Sequence, residues 1–273
     1  MKLGIVGYGV IGKALARLFR EKHELAIYDK YLSGVNSPGH KDDINNCELA
    51  FIAVPTPSAS DGLSCDLSAV EEVVRWLRVP ACLKSTVPPG TTDRLSHSAR
   101  LPLGFSPEYV GEACGHPWPE MDSCGFVIVG GAKIVCDRVI AAYKQSSKLS
   151  LKYYCTQART AELCKYMENC FLATKVSFVN QFFDIARYFD VDFEELRKLW
   201  LLDARVGSSH TVVRPERGFG GRCLPKDLRA IIAATQAFGG APLLEAVLDF
   251  NDRITAEPQS GSNRKKEKVK LLA

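Results

Sequence analysis

A glycine-spaced turn between an apolar strand and a helix constrains the fold of this 273-residue chain more than any other feature. Residues 2–6 form a short apolar strand, and residues 12–21 carry apolar side chains at helical spacing. Between them, the segment GYGVIG places glycine at Gly7, Gly9 and Gly12. In a dinucleotide-binding βαβ unit such glycines allow the tight turn, the approach of a pyrophosphate and close helix packing. A glycine turn without a ligand is the alternative.

The rest of the first half alternates strands with helices. The segment LAFIAV is apolar without alternation, which indicates a strand buried on both faces. We therefore predict a Rossmann-like doubly wound parallel sheet (α/β) in a first domain, residues 1–150. Residues 33–46, SGVNSPGHKDDINN, are expected to form a loop because of their composition. The other predicted strands are residues 25–28, 81–84, 103–105 and 126–130, with a helix at 68–77.

The second half has a different pattern. Residues 158–190 contain no Gly or Pro and carry apolar positions at helical spacing, which predicts one long helix. Further helices are expected at 193–202, 227–237 and 242–254, so residues 151–254 form an all-helical domain with one long central helix. The tail, residues 255–273, is basic and predicted to be disordered. A partner-binding role for the tail is a further possibility.

The predicted cofactor is NAD. Asp29 ends the second strand, where a carboxylate binds the adenosine ribose diol and repels a 2′-phosphate. Lys30 weakens this preference, since a cation there could tolerate the phosphate. Two loops that follow strands carry hydroxyls that could reach the ribose or nicotinamide, although both could be plain turns. The predicted cofactor contacts are Gly7, Gly9, Val10, Ile11, Gly12, Asp29, Val54, Pro55, Thr56, Ser85 and Thr86.

The segment GFGGRCLPKD is the strongest candidate for chemistry. Its glycines leave the backbone bare beside Cys223, while Lys226 and Asp227 follow three and four residues later. A thiol at a helix N-terminus near a cation is activated as a nucleophile. A buried structural cysteine after a turn is the alternative. The ten cysteines include no CxxC pair, so we predict no metal site.

Charge and hydropathy exclude other classes of protein. The net charge is +4, and the tail contributes +3 of it through five Lys/Arg and two Glu. The nearly neutral body gives no reason to expect nucleic-acid binding. No apolar run approaches the roughly 20 residues that span a bilayer, and the N-terminus lacks the features of a secretory signal. We therefore expect a cytoplasmic protein that does not bind membranes.

Seven motifs occur in the order found in one enzyme family. They are GYGVIG, VPTP with a following DG, KSTVPPGTT, SPEYVGE, the AELCKYMENCFLATKVSFVNQ helix, DARVG and GFGGRCLPKD. From Met1 to about Asn251, the chain resembles the UDP-glucose/GDP-mannose 6-dehydrogenase family and is UDP-glucose 6-dehydrogenase-like. The resemblance implies NAD-dependent oxidation of a nucleotide-sugar C6 alcohol to the carboxylate, through a thiohemiacetal and a thioester on Cys223.

The resemblance also implies roles for individual residues. Lys165 and Asn169 would stabilise oxyanions, and Asp227 would position or activate water. Glu108 would assist thioester hydrolysis, with the Thr86 hydroxyl as its partner. The implied substrate contacts are Glu108, Tyr109, Lys165, Asn169, Gly220 and, from a neighbouring subunit, Arg205. We expect a homodimer, since the long helix carries much apolar surface, including Phe171, Phe178, Phe182 and Phe183.

Three departures from the family pattern concern substrate recognition. The family continues into a third, nucleotide-binding domain, which we expect to be absent because the sequence ends about twenty residues after Asn251. The stretch between Asp29 and Cys47 is short, and Gly111 replaces a residue that is often basic. One alternative is a two-domain β-hydroxyacid dehydrogenase acting on a small acid, although GFGGRCLPKD argues against it. The other is a truncated, non-catalytic relative that binds NAD or dimerises.

Overall fold

The computed structural model describes residues 1–32, 38–110 and 120–256. Gly111 and the tail from residue 257 onward lie outside these ranges. The strands are β1 (Lys2–Val6), β2 (Glu24–Tyr28), β3 (Leu49–Ile52), β4 (Ala81–Leu83), β5 (Leu103–Phe105), β6 (Phe126–Gly131) and β7 (Lys152–Thr156). The helices are α1 (Val10–Phe19), α2 (Pro38–Asn45), α3 (Ser68–Trp76), α4 (Thr91–Ala99), α5 (Lys133–Ser146), α6 (Ala158–Tyr188), α7 (Phe193–Trp200), α8 (Leu224–Thr235) and α9 (Pro242–Ala256), with a 3₁₀ turn at Gln236–Phe238.

The strands form one sheet in the order β2-β1-β3-β4-β5-β6-β7. β1 to β5 are parallel, which confirms the predicted α/β class. Separate apolar clusters cover the two faces, one around Ile52 and Phe105 and the other around Phe19, Phe51 and Tyr143. β1 lies between β2 and β3, so the chain reverses direction across the sheet there. Ligands bind at such a switch point in open α/β sheets.

The last two strands of the sheet, β6 and β7, run antiparallel to the other five. β6 pairs with β5 in antiparallel fashion, and β7 is parallel to β6. Glycines permit this close pairing, because a Cβ on Gly104 would lie 2.9 Å from the Gly130 carbonyl oxygen. β7 was not predicted, and it carries the sheet past residue 150. The boundary at 150 stays a prediction.

Three helices of the first half were also missed. Residues 33–46 were expected to be a loop, but α2 begins at Pro38 within them. The reason is one fully buried side chain, Ile44, which anchors an otherwise polar helix to the core. Asn45 then fastens the helix end, since its Oδ1 accepts from the Arg78 amide at 2.8 Å. Helices α4 and α5 were not predicted. α4 is rich in Ser and Thr, whereas α5 does carry buried side chains at helical spacing, at Val135, Val139 and Ala142.

The long helix organises the second half, as predicted. α6 spans 31 residues, and α8 and α9 pack on one side of it. The shared core includes Tyr166, Ala173, Leu228 and Val247. The N-terminal part of α6 also contacts α4, β5 and β6, so this helix lies against the sheet as well. Among the described helices, none is long and apolar enough to cross a membrane.

Candidate active site

The glycine turn after β1 leaves open space where a phosphate would approach. Gly7 has a φ of 91°, and a side chain there would lie 2.6 Å from the carbonyl oxygen of Ala53. At Gly9 a Cβ would meet no described atom within 4 Å, apart from its chain neighbours. Helix α1 begins at Val10 and Gly9 gives it no side-chain cap, so its first amides can face an anion. This geometry fits a pyrophosphate.

Asp29 lies beside the same turn. Its Oδ2 accepts from the Tyr8 amide at 2.7 Å, and its Oδ1 accepts from the Tyr31 amide at 2.9 Å. These two bonds fix the carboxylate next to the glycines and still leave lone pairs on both oxygens. The arrangement fits a ribose diol, as predicted for Asp29.

The two predicted cofactor loops are joined to each other. The Ser85 hydroxyl donates to the Val54 carbonyl at 2.6 Å, and the Thr56 hydroxyl donates to the Thr86 carbonyl at 2.8 Å. Both hydroxyls belong to buried residues. The two bonds hold the loops together, and contact of these hydroxyls with the cofactor stays a prediction. The exposed Pro55 lies on the surface of this pair of loops.

Glu162, which was not predicted, fastens the second loop to α6. Its fully buried carboxylate accepts from the Gly90 amide at 2.5 Å, the Thr92 amide at 2.8 Å and the Thr92 hydroxyl at 2.6 Å. These donors belong to the first turn of α4, so Glu162 acts as a helix cap from 70 residues away. Burial raises the pKa of Glu162 above its usual 4.5, and the three hydrogen bonds oppose that shift.

Cys223 is the N-cap residue of α8, which begins at Leu224, three residues before the predicted start at residue 227. Its thiol is exposed, and its carbonyl accepts from the Asp227 amide at 2.9 Å. Beside it, a Cβ on Gly220 or Gly221 would meet no described atom within 4 Å beyond the neighbouring residues. The expected bare backbone next to the thiol is therefore present.

Asp227 connects Cys223 to α6. It is almost fully buried, its Oδ1 accepts from Lys226 Nζ at 2.5 Å, and its Oδ2 accepts from Asn169 Nδ2 at 2.5 Å. The two predicted residues Asn169 and Asp227 are thus in direct contact. Cys65 lies on the other side of this group, where burial raises the pKa of its thiol and Lys226 opposes the shift.

Glu108 is held by a buried lysine rather than by Thr86. Lys84 Nζ lies 3.1 Å from Glu108 Oε2, with side chains only 2% and 10% exposed. Lys84 also donates to the Ser106 hydroxyl at 3.2 Å and the Pro107 carbonyl at 3.3 Å. Burial alone would lower the pKa of Lys84, but the adjacent carboxylate raises it above its usual range. Sequence reasoning missed Lys84 because a lysine at the end of a strand is usually solvated.

Lys165 links this ion pair to the helix. Its Nζ lies 4.8 Å from the ring centre of Tyr109, which follows Glu108, and 3.7 Å from the Glu168 carboxylate. Lys165 and Asn169 lie one turn apart on α6, as predicted from their spacing. Contacts therefore link Lys84, Glu108, Tyr109 and Lys165, and the Asn169–Asp227 pair lies one helical turn further along α6.

Arg205 lies apart from this series. Its side chain is 90% exposed and pairs with Asp203, with the nearest atoms at 2.5 Å. Lys175 of α6 holds the same loop by donating to the carbonyls of Val206 and Gly207 at 3.0 and 2.8 Å. Nothing in this arrangement tests the predicted role of Arg205 in a neighbouring subunit.

Two buried asparagines, also missed from the sequence, fix the loop before Cys223. Asn180 Oδ1 accepts from Arg217 Nε at 2.8 Å, and Asn251 Oδ1 accepts from the Phe219 amide at 2.7 Å. Arg217 has a φ of 56°, a left-handed conformation unusual for a residue with a side chain. The loop that carries the thiol is therefore held from both α6 and α9.

Comparison with known proteins identifies the family. Residues 30–145 match the NAD-binding domain of the UDP-glucose/GDP-mannose dehydrogenase family, and residues 159–253 match its central domain. A putative UDP-glucose 6-dehydrogenase of Bacillus subtilis is 30% identical over 297 aligned positions, which cover 92% of this chain and 68% of that protein. The chain belongs to this family.

Solved structures agree with the assignment to the UDP-glucose/GDP-mannose dehydrogenase family. A UDP-glucose dehydrogenase from Pyrobaculum islandicum is 26% identical, with a TM-score of 0.79 over 92% of this chain and 68% of that one. The chain spans about two thirds of the length of such relatives. A 3-hydroxyisobutyrate dehydrogenase from Mycobacterium tuberculosis, at 15% identity and a TM-score of 0.66, shares the fold alone.

Proposed function

We propose that this protein oxidises the C6 alcohol of a nucleotide-sugar to a carboxylate with NAD, and that Cys223 carries the intermediate. The observation that carries the proposal is the first turn of α8. There the exposed Cys223 caps the helix N-terminus, and the buried Asp227, whose backbone amide donates to the Cys223 carbonyl, accepts from Asn169 of α6. Helix N-terminal amides and the nearby Lys226 favour negative charge on sulfur.

The residues that would hold NAD are the glycine turn and Asp29. The open space over Gly9 and the first amides of α1 would take the pyrophosphate, and Asp29 would accept from the ribose. When bound, NAD accepts the hydride removed from the sugar carbon in each of the two oxidations. The Ser85 and Thr56 hydroxyls donate to the loop carbonyls, so toward the cofactor each could still accept a hydrogen bond.

Cys223 acts between the two oxidations. The first oxidation removes a hydride and the hydroxyl proton and leaves an aldehyde. The Cys223 thiolate adds to the aldehyde carbon, and the oxygen takes up a proton to give a thiohemiacetal. Loss of a second hydride and the hydroxyl proton gives a thioester. Water then breaks the C–S bond, which releases the carboxylate and restores the thiol. The open space beside Gly220 and Gly221 allows the sugar carbon to approach sulfur.

Lys165 and Asn169 would stabilise the oxygen that becomes negative in these steps. The Asn169 amide has two N–H groups, and only one of them donates to Asp227. The second N–H is available to an oxyanion, as is the ammonium of Lys165. Glu168 pairs with Lys165, and Asp227 accepts from Asn169. We assign Asp227 and Glu108 to the handling of water. Lys84 would keep Glu108 oriented.

We also propose a homodimer formed through α6. One face of this helix exposes large apolar side chains, including Met167 at 76% and Phe171 at 63%. Phe178 and Phe182 are exposed on the same face, but Phe183 is half-buried against Phe193. Apolar surface of this extent favours burial against a second subunit.

Turnover by the purified chain tests the proposed reaction. NADH absorbance would be followed with UDP-glucose, UDP-N-acetylmannosamine, GDP-mannose and small hydroxyacids. We expect one nucleotide-sugar to give two NADH per carboxylate formed, and Cys223→Ser to abolish acid formation without loss of NAD binding. NAD binding without turnover on any sugar would instead support a non-catalytic relative. Turnover on a hydroxyacid that Cys223→Ser retains would refute the proposal.

A further inference from the structure

The residue after Asp29 makes an ion pair that bears on cofactor choice. Lys30 Nζ lies 2.8 Å from Glu72 Oε2, in the second turn of α3. Asp29 is fixed beside the glycine turn by two backbone amides. The Glu72 carboxylate is therefore bound directly to the cation that follows the ribose-binding aspartate.

A cation in this position would otherwise favour a 2′-phosphate. NADP differs from NAD by that phosphate, and enzymes that bind NADP place a basic side chain near it. Lys41 and Arg75 add positive charge around Glu72, and Lys41 Nζ lies 5.3 Å from the ring centre of Trp76. The hydrogen bond from Lys30 lowers the pKa of Glu72, so this carboxylate is ionised at neutral pH. Without Glu72, the positive charges of Lys30, Lys41 and Arg75 would lose the carboxylate between them at the adenosine end of the site.

We propose that Glu72 is a specificity-determining residue, which keeps the adenosine site selective for NAD by holding Lys30 and adding negative charge where a 2′-phosphate would lie. It acts through Lys30 and not through contact with the reacting atoms. The inference rests on the NAD binding proposed above, but not on the chemistry at Cys223.

The neighbouring Glu71 offers a matched control. It lies on the same helix with similar exposure, and its Oε1 accepts from Arg94 of α4 at 2.9 Å. Glu71→Gln and Glu72→Gln each remove one charge from α3 and one surface ion pair. Only Glu72→Gln removes the carboxylate that holds Lys30.

Direct binding of both cofactors, measured by calorimetry, tests the proposal without need of turnover. We expect Glu72→Gln to lower the Kd for NADP about three- to fivefold and to leave the Kd for NAD within about twofold, as suits one exposed ion pair. Glu71→Gln should change neither value. Lys30→Met in the Glu72→Gln background should return the NADP affinity to that of the native chain, and added salt should shrink the gain.

Two results would overturn the proposal. An unchanged NADP Kd in Glu72→Gln would show that the ion pair has no part in cofactor choice. An equal gain in Glu71→Gln would show a general effect of charge on α3. A native chain that binds neither dinucleotide refutes the proposed NAD site itself, and that result is seen before any substitution is made.

Discussion

Replacing Glu162 by Gln tests how the sheet is fastened to the helix that carries Lys165 and Asn169. In the native chain the two carboxylate oxygens accept three hydrogen bonds from the N-terminus of α4, two of them buried and the one from Gly90 partly buried. Gln has nearly the same size, but it offers one acceptor oxygen and places an NH₂ group where the other stood.

The expected cost follows from these bonds. The Gln amide would face another donor, either the Gly90 amide or the two donors of Thr92, so at least one buried donor loses its partner. An unsatisfied buried donor costs ~1–3 kcal/mol. The remaining hydrogen bonds become weaker because their acceptor is no longer charged. The variant also no longer buries a charge, which offsets part of this destabilisation. We expect the free energy of unfolding to fall by about 2 kcal/mol.

The pH dependence of the free energy of unfolding gives an independent test of the role of Glu162. The pKa of Glu162 is raised above 4.5 in the folded chain, so the folded state binds this proton more readily than the unfolded state. Stability from this group therefore rises as the pH falls from neutral through the folded pKa toward 4.5, and it is lost as the pH rises. Gln does not titrate. The difference in stability between the native chain and Glu162→Gln should widen as the pH is lowered.

Urea unfolding followed by tryptophan fluorescence would measure both effects. Glu71→Gln serves as the control, since a surface change of this kind stays within about 0.5 kcal/mol. Equal urea midpoints for Glu162→Gln and the native chain would refute the capping role. A difference that narrows as the pH falls would refute the assigned direction of the pKa shift.

Three further outcomes can be measured on the same protein. Iodoacetamide should modify Cys223 before Cys155, which is also exposed, as measured by mass spectrometry. Slower labelling of Cys223 would contradict its activation. Lys84→Met should lower the free energy of unfolding by ~3–5 kcal/mol, since it leaves the Glu108 charge buried and unpaired; a loss under about 1 kcal/mol would mean that the pair is solvated. Phe171→Glu should convert a dimer to a monomer in light scattering at micromolar concentration, whereas Leu243→Glu, at an exposed leucine of α9, should not. A native chain that is already monomeric would refute the proposed interface.

The sequence was sufficient wherever the signal was local. Three such features each lie within one uninterrupted segment, and the structure has all of them. They are the glycine turn, the strand that ends before Asp29, and the long stretch without Gly or Pro. A helix after Cys223 was also expected, although α8 begins three residues before the predicted residue 227. Such features depend on backbone preferences and side-chain periodicity, which a single segment contains.

The missed features depend on partners far apart in the chain. The segment TTDRLSHSA does not predict that Glu162 caps α4, because Glu162 lies 70 residues later in the chain. Lys84 pairs with Glu108 across 24 positions, and Ile44 is the fully buried side chain by which α2 reaches the core. A side chain's partner depends on the assembled fold, so the direction of the Ser85 and Lys84 side chains could not follow from their own neighbours.

Helix α6 shows how one uninterrupted segment can serve both the site and the proposed interface. At about 100° per residue, the buried contacts fall on one stripe and the exposed apolar side chains fall on the opposite stripe. The first stripe holds Glu162, Lys165, Asn169 and Asn180, and the second holds Met167, Phe171, Phe178 and Phe182. A Gly or Pro within α6 would bend the helix and shift the two stripes against each other. Because the stripes lie on opposite sides, a second subunit can cover the apolar one without covering Lys165 or Asn169.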